Sequence, residues 1–336
     1  MKKLGHALLK IISVVLVIAI ALEVINLFEP DKNVEDNPFI VSEGSLPMIA
    51  AHRGGGKNNP ENTVLAFTRA VYNYEVEILE SDLHLTADGY LVYNHDSYVD
   101  QTCNINGDIT LDEVKELCEL EENRHYIADM TLEELRQYNF GYYFEDENGE
   151  RIYKDSTEIE ANGLQIATVD QLFEMFYNER PNLRFIVEIK DSGERGIEAC
   201  RILSSTLDMY PDYRDNIVVG TFHDEIELEL AANYPELYRG ASTGSAAKFI
   251  LTELLRVNFI DDGDFACLQI PTSYQIKGIE LNLAKRAYIR QAHRRGIAVQ
   301  YWTINDEDEM RDLIDLGCDC IMTDDPALLR AVLSEY

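Results

Sequence analysis

Residues 46–56 read Leu-Pro-Met-Ile-Ala-Ala-His-Arg-Gly-Gly-Gly. A short apolar run that ends in glycine is typical of a buried strand that opens into a loop. His52 can transfer protons near neutral pH, Arg53 can bind phosphate oxygens through its planar guanidinium, and the glycines let the backbone approach a ligand. The stretch therefore predicts a strand whose end carries a candidate site.

Similar strand-like runs recur along the chain, with amphipathic helical patterns between most of them. The strand-like runs are 48–52, 77–83, 90–94, 184–189, 216–220, 237–241, 266–270, 298–303 and 319–323. The helical patterns include 63–74, 169–177, 194–209, 223–233, 282–295 and 306–316. This alternation predicts an α/β fold with a parallel sheet closed as a barrel. These are nine runs for the eight strands of a barrel. Only a short turn joins 77–83 to 90–94, so one of these two runs is expected to be an extension or to lie outside the regular barrel.

Acidic residues stand where several of these runs end. Glu80 and Asp82 are two apart in a strand, so their side chains share one face and repel each other unless a cation joins them. Glu188 ends a third apolar run. Three carboxylates at strand ends predict a site for Mg²⁺ or Ca²⁺, although the same acids could instead pair with Arg53 or Lys190.

Two histidines accompany the acids. His52 and His95 each end a strand-like run, and both are candidates for a general acid and a general base. Arg53 and Lys190 supply positive charge for an anion. Together with the acids, these are the parts of a metal-assisted phosphoryl-transfer site. His84 was expected to point away from Asp82 and so to have no part in the site.

The chain resembles the glycerophosphodiester phosphodiesterase family through motifs that occur in that family's order. They are His-Arg-Gly at 52–54, Pro-Glu-Asn-Thr at 60–63, Glu-x-Asp at 80–82, Thr-x-Asp-Gly at 86–89, His-Asp at 95–96, Val-Glu-Ile-Lys at 187–190, Tyr-Trp-Thr-Ile-Asn at 301–305 and Met-Thr-Asp-Asp-Pro at 322–326. The likeness runs from about residue 48 to 333. It implies a TIM (β/α)8 barrel, with an inserted segment after the third strand.

The resemblance also implies roles for single residues. These are His52 and His95 as the catalytic pair; Glu80, Asp82 and Glu188 as ligands of one divalent cation, Mg²⁺ or Ca²⁺; Arg53 as a phosphate contact; Glu61 as a supporting residue near the site; and Lys190 and Trp302 as pocket residues. Glu61 could instead simply pair with Arg53, and Trp302 could belong to the core. The activity implied is metal-dependent hydrolysis of glycerophosphodiesters to glycerol 3-phosphate and an alcohol.

The substrate is the least defined part of this expectation. The family often has an Arg-Thr-Thr-like run after the second histidine, where this chain has Gln101-Thr102-Cys103 in a long acidic insertion over about 97–165. Hydrolysis of lysophospholipids, as by a lysophospholipase D, and hydrolysis of a teichoic-acid-like glycerol phosphate polymer are alternatives. A catalytically inactive, membrane-tethered binding module is an alternative of another class. The aromatic stretch 138–144 could pack on the barrel rim, line a pocket for the leaving alcohol, or touch lipid.

The N-terminus predicts a membrane anchor. Lysines precede an apolar stretch within residues 1–28, which makes this segment a candidate transmembrane helix with a cytoplasmic N-terminus. Residues 29–46 have the composition of a polar linker, and the barrel is expected over 47–336. The protein would then be a single-pass protein of the cell membrane with an extracytoplasmic catalytic domain. The alternative is a signal peptide cleaved near 19–21, and hence a secreted protein.

Charge and cysteine content complete the expectations. The formal net charge is −32, which argues against a nucleic acid as a partner, because binding duplex phosphates requires clustered Lys and Arg. A small glycerophosphodiester or lysophospholipid substrate and, through the N-terminal helix, a membrane are the partners expected. In an exported protein, Cys103 and Cys118 of the insertion are candidates for a disulfide. The sequence gives no indication of the oligomeric state.

Overall fold

The strand that ends at His52 is one of eight parallel strands arranged in a ring. The computed structural model describes residues 2–26, 28, 30, 32–261 and 263–336. Residues 1, 27, 29 and 31, which belong to the predicted anchor and linker, lie outside the described residues. The strands are β1 (Met48–His52), β2 (Ile78–Leu85), β3 (Leu91–Tyr93), β4 (Arg184–Ile189), β5 (Ile217–Gly220), β6 (Tyr238–Arg239), β7 (Cys267–Ile270), β8 (Ser273–Ile276), β9 (Ile279–Asn282), β10 (Ala298–Tyr301) and β11 (Cys320–Thr323).

The ring follows the chain order of an α/β barrel. Parallel pairing gives the order β6-β5-β4-β2-β1-β11-β10-β7. β6 and β7 meet through a narrow join, in which the Ala266 N–H donates to the Arg239 carbonyl and the Ala241 N–H donates to the Cys267 carbonyl, both at 2.8 Å. The barrel is therefore nearly closed, and the prediction of an eight-stranded parallel barrel is confirmed.

All nine predicted strand runs are strands. The ninth is β3, which pairs antiparallel with β2 and lies outside the ring. A β8–β9 hairpin follows β7 and was not predicted. Its turn is formed by Lys277 and Gly278, both at positive φ.

Helices precede the barrel, alternate with its strands and occur in the insertion. They are α1 (Lys2–Ile25), α2 (Val64–Tyr72), α3 (Leu111–Leu117), α4 (Leu132–Leu135), α5 (Val169–Phe176), α6 (Gly193–Met209), α7 (Pro211–Arg214), α8 (Asp224–Asn233), α9 (Thr243–Leu254), α10 (Arg286–Arg294), α11 (Glu307–Leu316) and α12 (Pro326–Leu333). Their apolar faces form the main core against the strands, where Phe67, Phe173 and Phe249 are fully buried. α9 and α12 were not predicted.

Side-chain caps fix several helix starts. Thr63 and Thr168 each accept a hydrogen bond from the first turn of α2 and α5 and satisfy a backbone donor that the helix leaves free. α3 and α4 begin with capping boxes at Thr110 and Thr131. α8 begins without a side-chain cap: His223 is its N-cap residue, and the nearby Thr221 hydroxyl donates to the Ile189 carbonyl instead.

The insertion between β3 and α5 has a small core of its own. α3, α4 and three short 3-10 turns surround Val99, Ile127, Leu135 and Phe140, which are all buried. Cys103 belongs to this core, and Cys118 is also buried, but the two cysteines are unlinked. The candidate disulfide is therefore not formed in this structure.

Part of the predicted linker is packed against the base of the barrel, the end at which the strands begin. The Asn33 side-chain amide donates to the carbonyls of Gly263 and Phe265, and that of Asn37 donates to Ala266 and Gly296. Phe39 is fully buried among the first residues of the strands. A polar composition predicts a solvated linker, but here the amides satisfy carbonyls at the barrel end and fix the segment there.

The N-terminal helix α1 precedes this packed segment. Within the described part of the chain, no helix combines the length and the apolar character that crossing a bilayer requires. The predicted transmembrane anchor over 1–28 therefore has no support from the structure.

Candidate active site

The predicted site residues converge where the barrel strands end. His52 ends β1 and lies beside Glu80 of β2 in the strand register. Asp82 of β2 lies beside Glu188 of β4 in the same way. Because parallel strands bring their carboxyl ends to one rim, residues far apart in the sequence become neighbours, and this rim is where α/β barrels carry their active sites.

His52 is held by an acid that the sequence analysis did not select. Its Nδ1 lies 2.5 Å from Oδ1 of Asp324, and its Nε2 lies 3.8 Å from Oε2 of Glu80. Burial opposes protonation of His52, but the hydrogen bond to Asp324 and the charge of Glu80 outweigh it and raise the pKa of His52 above its usual value. The contact at Nδ1 leaves Nε2 as the ring atom available for proton transfer.

Asp324 is itself fixed by Asn305. The Asn305 amide donates to Oδ2 of Asp324 at 2.7 Å, and the Asp324 N–H donates to the Asn305 side-chain oxygen at 2.9 Å. Both residues lie in the late segments at 301–305 and 322–326 that carry the family resemblance, so a signal was present. Only the barrel, which places β11 beside β1, shows that this acid faces His52.

Arg53 connects the acids to an open cleft. Its Nη1 lies 3.3 Å from Oε2 of Glu61, and its Nε lies 3.8 Å from Oδ2 of Asp82. The backbone at Arg53 has φ 53°, a left-handed conformation that costs energy for a residue with a side chain. The glycines that follow allow close packing, since a Cβ on Gly54 would come within 2.8 Å of Ala66 and one on Gly55 within 2.7 Å of Pro326.

Lys190 lies between two of the predicted metal ligands. Its Nζ is 3.1 Å from Oδ1 of Asp82 and 3.0 Å from Oε1 of Glu188. Burial and the charge of Asp82 raise the pKa of Glu80 to about 7, although His52 and Arg53 act in the opposite direction. Burial likewise raises the pKa of Glu188, against the attraction of Lys190. Burial therefore disfavours the charged forms of Glu80 and Glu188 more than the neighbouring cations favour them.

The oxygen atoms of these acids are of the kind that a divalent cation binds. Oδ2 of Asp82 is buried and accepts no hydrogen bond from any described residue. A buried acceptor without a donor is costly, and carboxylate oxygens are the ligands that Mg²⁺ and Ca²⁺ prefer. Within the described residues, no group of three or more acidic, histidine or cysteine side chains is arranged to hold a metal ion. Lys190 forms ion pairs with two of the predicted ligands. The donor set thus suits the ion, and Lys190 would have to release part of it on binding.

His95 stands at the mouth of the cleft. Its Nδ1 lies 2.8 Å from Oδ1 of Asp96, and its side chain is 42% exposed, so a ligand can reach it. The cleft has a volume of about 360 Å³. Arg53, Glu61 and His95 line one part of it, and aromatic residues of the insertion line another. The predicted histidine and the predicted phosphate contact therefore share one cavity.

The expectation for His84 was wrong. His84 is two residues after Asp82 in β2, so alternation places both on the same face. Its Nδ1 lies 2.9 Å from Oδ1 of Asp191, and its Nε2 lies 3.4 Å from the His95 carbonyl oxygen. Asp191 also accepts the Leu85 N–H at 2.7 Å. His84 and Asp191 thus form a buried pair that contacts the backbone of His95.

Trp302 lies apart from this cleft. It follows β10 at the same rim and is 39% exposed, which excludes the alternative that it belongs to the core. Among the described residues that line the cleft, neither Trp302 nor Lys190 is present. Glu61 lines the cleft and also pairs with Arg53. It therefore lies near the site and forms the ion pair, which are the two alternatives that the sequence left open.

Comparison with known proteins places the chain among phosphodiesterases. Residues 52–328 match the model of the glycerophosphoryl diester phosphodiesterase family. A glycerophosphodiester phosphodiesterase of Caldanaerobacter subterraneus subsp. tengcongensis is 25% identical over 282 residues, which cover 84% of this chain and 96% of that protein. A lysophospholipase D of Homo sapiens is 23% identical over 307 residues, which cover 87% of each.

Solved structures share the fold. A glycerophosphoryl diester phosphodiesterase from Silicibacter pomeroyi superposes with a TM-score of 0.65 at 18% identity and covers 88% of this chain and 95% of its own. A phosphodiesterase from Oleispira antarctica, solved in complex with the product sn-glycerol-3-phosphate, gives a TM-score of 0.60 at 21% identity and covers 86% of this chain and 97% of its own. Both are similar to this chain in fold.

Proposed function

This chain belongs to the glycerophosphoryl diester phosphodiesterase family, and we propose that it hydrolyses glycerophosphodiesters to glycerol 3-phosphate and an alcohol. One observation supports this most strongly. Arg53 reaches Glu61 in the cleft with one end of its guanidinium and faces the buried acid Asp82 with the other. A phosphate bound at Arg53 would therefore lie next to the acids and in the same cavity as His95.

The two histidines supply proton transfer in this proposal. One takes a proton from the attacking oxygen, and the other gives a proton to the oxygen of the leaving alcohol. Asp324 holds Nδ1 of His52, so that Nε2 faces the reacting group. Arg53 donates to phosphate oxygens as negative charge builds on them. Lys190 pairs with Asp82 and Glu188 and so partly balances their charge.

Glu80, Asp82 and Glu188 would hold one divalent cation, Mg²⁺ or Ca²⁺. When bound, the cation would supply Lewis-acid stabilisation of phosphate charge. Asp82 offers the clearest support, since its Oδ2 is buried and accepts no hydrogen bond within the described chain. The raised pKa values of Glu80 and Glu188 are consistent with this, because a bound cation would favour the charged forms that burial, and to a lesser extent the charge of Asp82, disfavour.

The test is hydrolysis of glycerophosphocholine by the full chain with EDTA, Mg²⁺ or Ca²⁺, with release of glycerol 3-phosphate as the readout. We expect metal-dependent release, and a loss of at least roughly 10²-fold in kcat for His52→Ala and for His95→Ala. His293→Gln is the matched control, because glutamine can still donate to Asp319 on the far side of the barrel. Near-normal turnover in either purified alanine variant would contradict the assignment.

A second candidate function is a lysophospholipase D activity. Leu111, Phe140 and Phe144 give the cleft an apolar wall that suits an acyl chain. Assays of lysophosphatidylcholine and of a glycerol phosphate polymer beside glycerophosphocholine separate the three substrate classes. Absence of metal-dependent turnover on all three would favour a catalytically inactive binding module instead.

Attachment to a membrane through the N-terminus is a separate part of the proposal. Ile11, Val14 and Val17 of α1 are 57–65% exposed, and exposed apolar side chains on a helix favour contact with lipid. The catalytic domain would then lie outside the cytoplasm, or the protein would be secreted after cleavage. Fractionation of cells that express the full chain, followed by protease treatment of intact cells, tests this. Full-length protein in the cytosolic fraction would contradict it.

A further inference from the structure

The outer side of α9 is apolar, where a helix on the surface of a protein is normally polar. Leu254 and Leu255 are three and four residues after Leu251, so the three share one side of the helix, and they are 54–57% exposed. Phe249 and Ile250 on the opposite side are buried against the barrel. A helix that is apolar on both sides needs a second apolar surround besides its core. The three leucines therefore indicate a contact that the barrel does not supply.

Exposed apolar side chains continue past the end of α9. A 3-10 turn over Asn258–Ile260 follows the helix, and Phe259 and Ile260 of this turn are 48% and 56% exposed. The turn is fixed to the barrel, because Asn258 is buried and its carbonyl accepts a hydrogen bond from the Arg295 guanidinium. We call the exposed apolar residues of the helix and the turn the α9 face: Leu251, Leu254, Leu255, Phe259 and Ile260.

The N-terminal helix α1 ends beside this face. The Asn26 amide donates to the Arg256 carbonyl at 3.0 Å, and the Arg294 guanidinium donates to the Phe28 carbonyl at 2.6 Å. Residues 14–18 of α1 are all apolar and 53–65% exposed, and five consecutive residues cover the whole circumference of a helix. One protein surface cannot cover such a helix, whereas lipid surrounds it on every side. Two apolar surfaces that need a surround therefore meet at Arg256, directly after the α9 leucines.

Arginines flank the same place on α10, which packs beside α9. Arg286, Arg290 and Arg294 are spaced four residues apart, so they lie along one side of that helix. Arg290 is exposed and forms no ion pair with any described residue. The sequence has no acid between Glu280 and Asp306, although Asp and Glu outnumber Lys and Arg by 61 to 29 in the whole chain. This local positive charge favours an anionic surface, and arginine binds phosphate through its planar group.

We propose that the α9 face lies in the surface of an anionic lipid bilayer, at the boundary of headgroups and acyl chains, with Arg290 and Arg294 at the lipid phosphates. The inference shares with the proposed N-terminal attachment the premise that α1 meets lipid. It goes further, because it places the barrel itself in the lipid surface, and it does not depend on the hydrolysis. A second copy of the chain is the rival occupant of this face, but it would not surround α1.

A fluorescent label on the α9 face tests the contact in the full chain. All six native cysteines are buried, so the label attaches to Leu255→Cys or, as a second position, to Leu251→Cys. The probe is a vesicle of phosphatidylcholine and phosphatidylglycerol that carries a nitroxide quencher on its headgroups. We expect the label at either position to be quenched and its emission to shift to shorter wavelength. Leu120→Cys is the matched control, because Leu120 is 58% exposed and belongs to the insertion, which lines the cleft at the other end of the barrel.

The other outcomes of this experiment overturn the proposal in different ways. Equal quenching in Leu120→Cys would show adsorption without a preferred face. If the protein sediments with the vesicles while neither α9 label is quenched, α1 alone holds the chain, and the attachment stands without the α9 contact. If the protein does not sediment with the vesicles, both fail. Energy transfer between donor- and acceptor-labelled copies of Leu255→Cys, without quenching by lipid, would place a second copy on this face.

Arg290→Gln tests the part that charge plays in the contact. One arginine at an anionic lipid surface changes the ratio of docked to undocked barrel by roughly fivefold. We expect Arg290→Gln to lower this ratio by that factor, measured from the quenching of the Leu255→Cys label, and to leave it unchanged on vesicles of phosphatidylcholine alone. Arg201→Gln is the matched control, because Arg201 is an exposed arginine on α6. An unchanged ratio in Arg290→Gln, or an equal loss in Arg201→Gln, would contradict the assignment to anionic lipid.

Discussion

Asp324, just after the last barrel strand, lies 2.5 Å from the Nδ1 of His52, which ends the first. The contact joins residues at opposite ends of the barrel sequence, because β11 and β1 are neighbours in the ring. It fixes the orientation of one catalytic candidate and, with Glu80, raises the pKa of that histidine.

Replacing Asp324 with asparagine should therefore impair turnover more than stability. Asparagine fills the same space but removes the charge that stabilises protonated His52, so we expect kcat to fall by roughly 10²-fold, the lower end of a general acid–base contribution. Steady-state kinetics with glycerophosphocholine, alongside circular dichroism, measure this. Asp308→Asn, an exposed acid in the first turn of α11, is the control. Turnover within threefold of the wild type would show that Asp324 does not position His52 for catalysis.

Removal of the metal should change the stability of the protein as well as its activity. A ligand that binds the folded state at about 100 times its Kd adds about 2.7 kcal/mol to the free energy of unfolding. We expect Mg²⁺ or Ca²⁺ to raise the Tm of EDTA-treated protein, and we expect this rise to disappear in Glu188→Gln. Differential scanning fluorimetry gives the readout. A rise of equal size in Glu188→Gln would remove this residue from the ligand set.

The pH dependence of the metal-free protein should follow from Glu80. Its pKa is about 7 in the folded protein, above the ordinary 4.5, so the folded state binds a proton more tightly than the unfolded state. Stability therefore falls as pH rises from about 4.5 to about 7, by on the order of 1–3 kcal/mol. The raised pKa of His52 acts in the same direction, because stability from its protonated form is lost as pH rises through that pKa.

Urea unfolding at several pH values tests this, and Glu80→Gln should make the free energy of unfolding depend less on pH. If Glu80→Gln showed the same dependence of unfolding free energy on pH as the wild type, groups other than Glu80 would cause that dependence.

Ser81 should support the backbone that carries Arg53. Its hydroxyl donates to the side-chain oxygen of Asn62, and the Asn62 N–H donates to the Arg53 carbonyl at 3.0 Å. Asn62 is buried, and its side-chain nitrogen has no partner among the described residues. Ser81→Ala leaves the Asn62 amide oxygen without its donor, so we expect a loss of about 1–3 kcal/mol in the free energy of unfolding and a raised KM. Urea unfolding and kinetics check both effects. Ser205→Ala on the exposed face of α6 is the control, and a Ser81→Ala variant with normal stability and KM would contradict the prediction.

Most of the barrel could be predicted from the sequence because its signals are local. A buried parallel strand is a short apolar run, and a covering helix shows a one-sided apolar pattern, so all nine runs were found. The β8–β9 hairpin was missed because its exposed residues, such as Tyr274, give no buried face to detect. α12 was missed because eight residues make only about two turns, which is too short to show a clear one-sided apolar pattern.

The site was predictable to the extent that its residues lie at strand ends. His52, Glu80, Asp82 and Glu188 meet as expected, since parallel strands end at one rim. The contact of Asp324 with His52 and the bridge that Lys190 forms between two acids depend on side-chain directions across several strands. The sequence offered pairing of the acids with Lys190, and a pocket wall formed by the aromatic stretch 138–144, only as alternatives, because no local signal decides between them.

The packing of Asn33, Asn37 and Phe39 fixes where the chain enters the barrel, at the end opposite to His52. The N-terminal segment and the proposed reacting groups are therefore separated by the length of the barrel strands. A change in the segment that precedes Asn33 should reach the site only through the barrel itself.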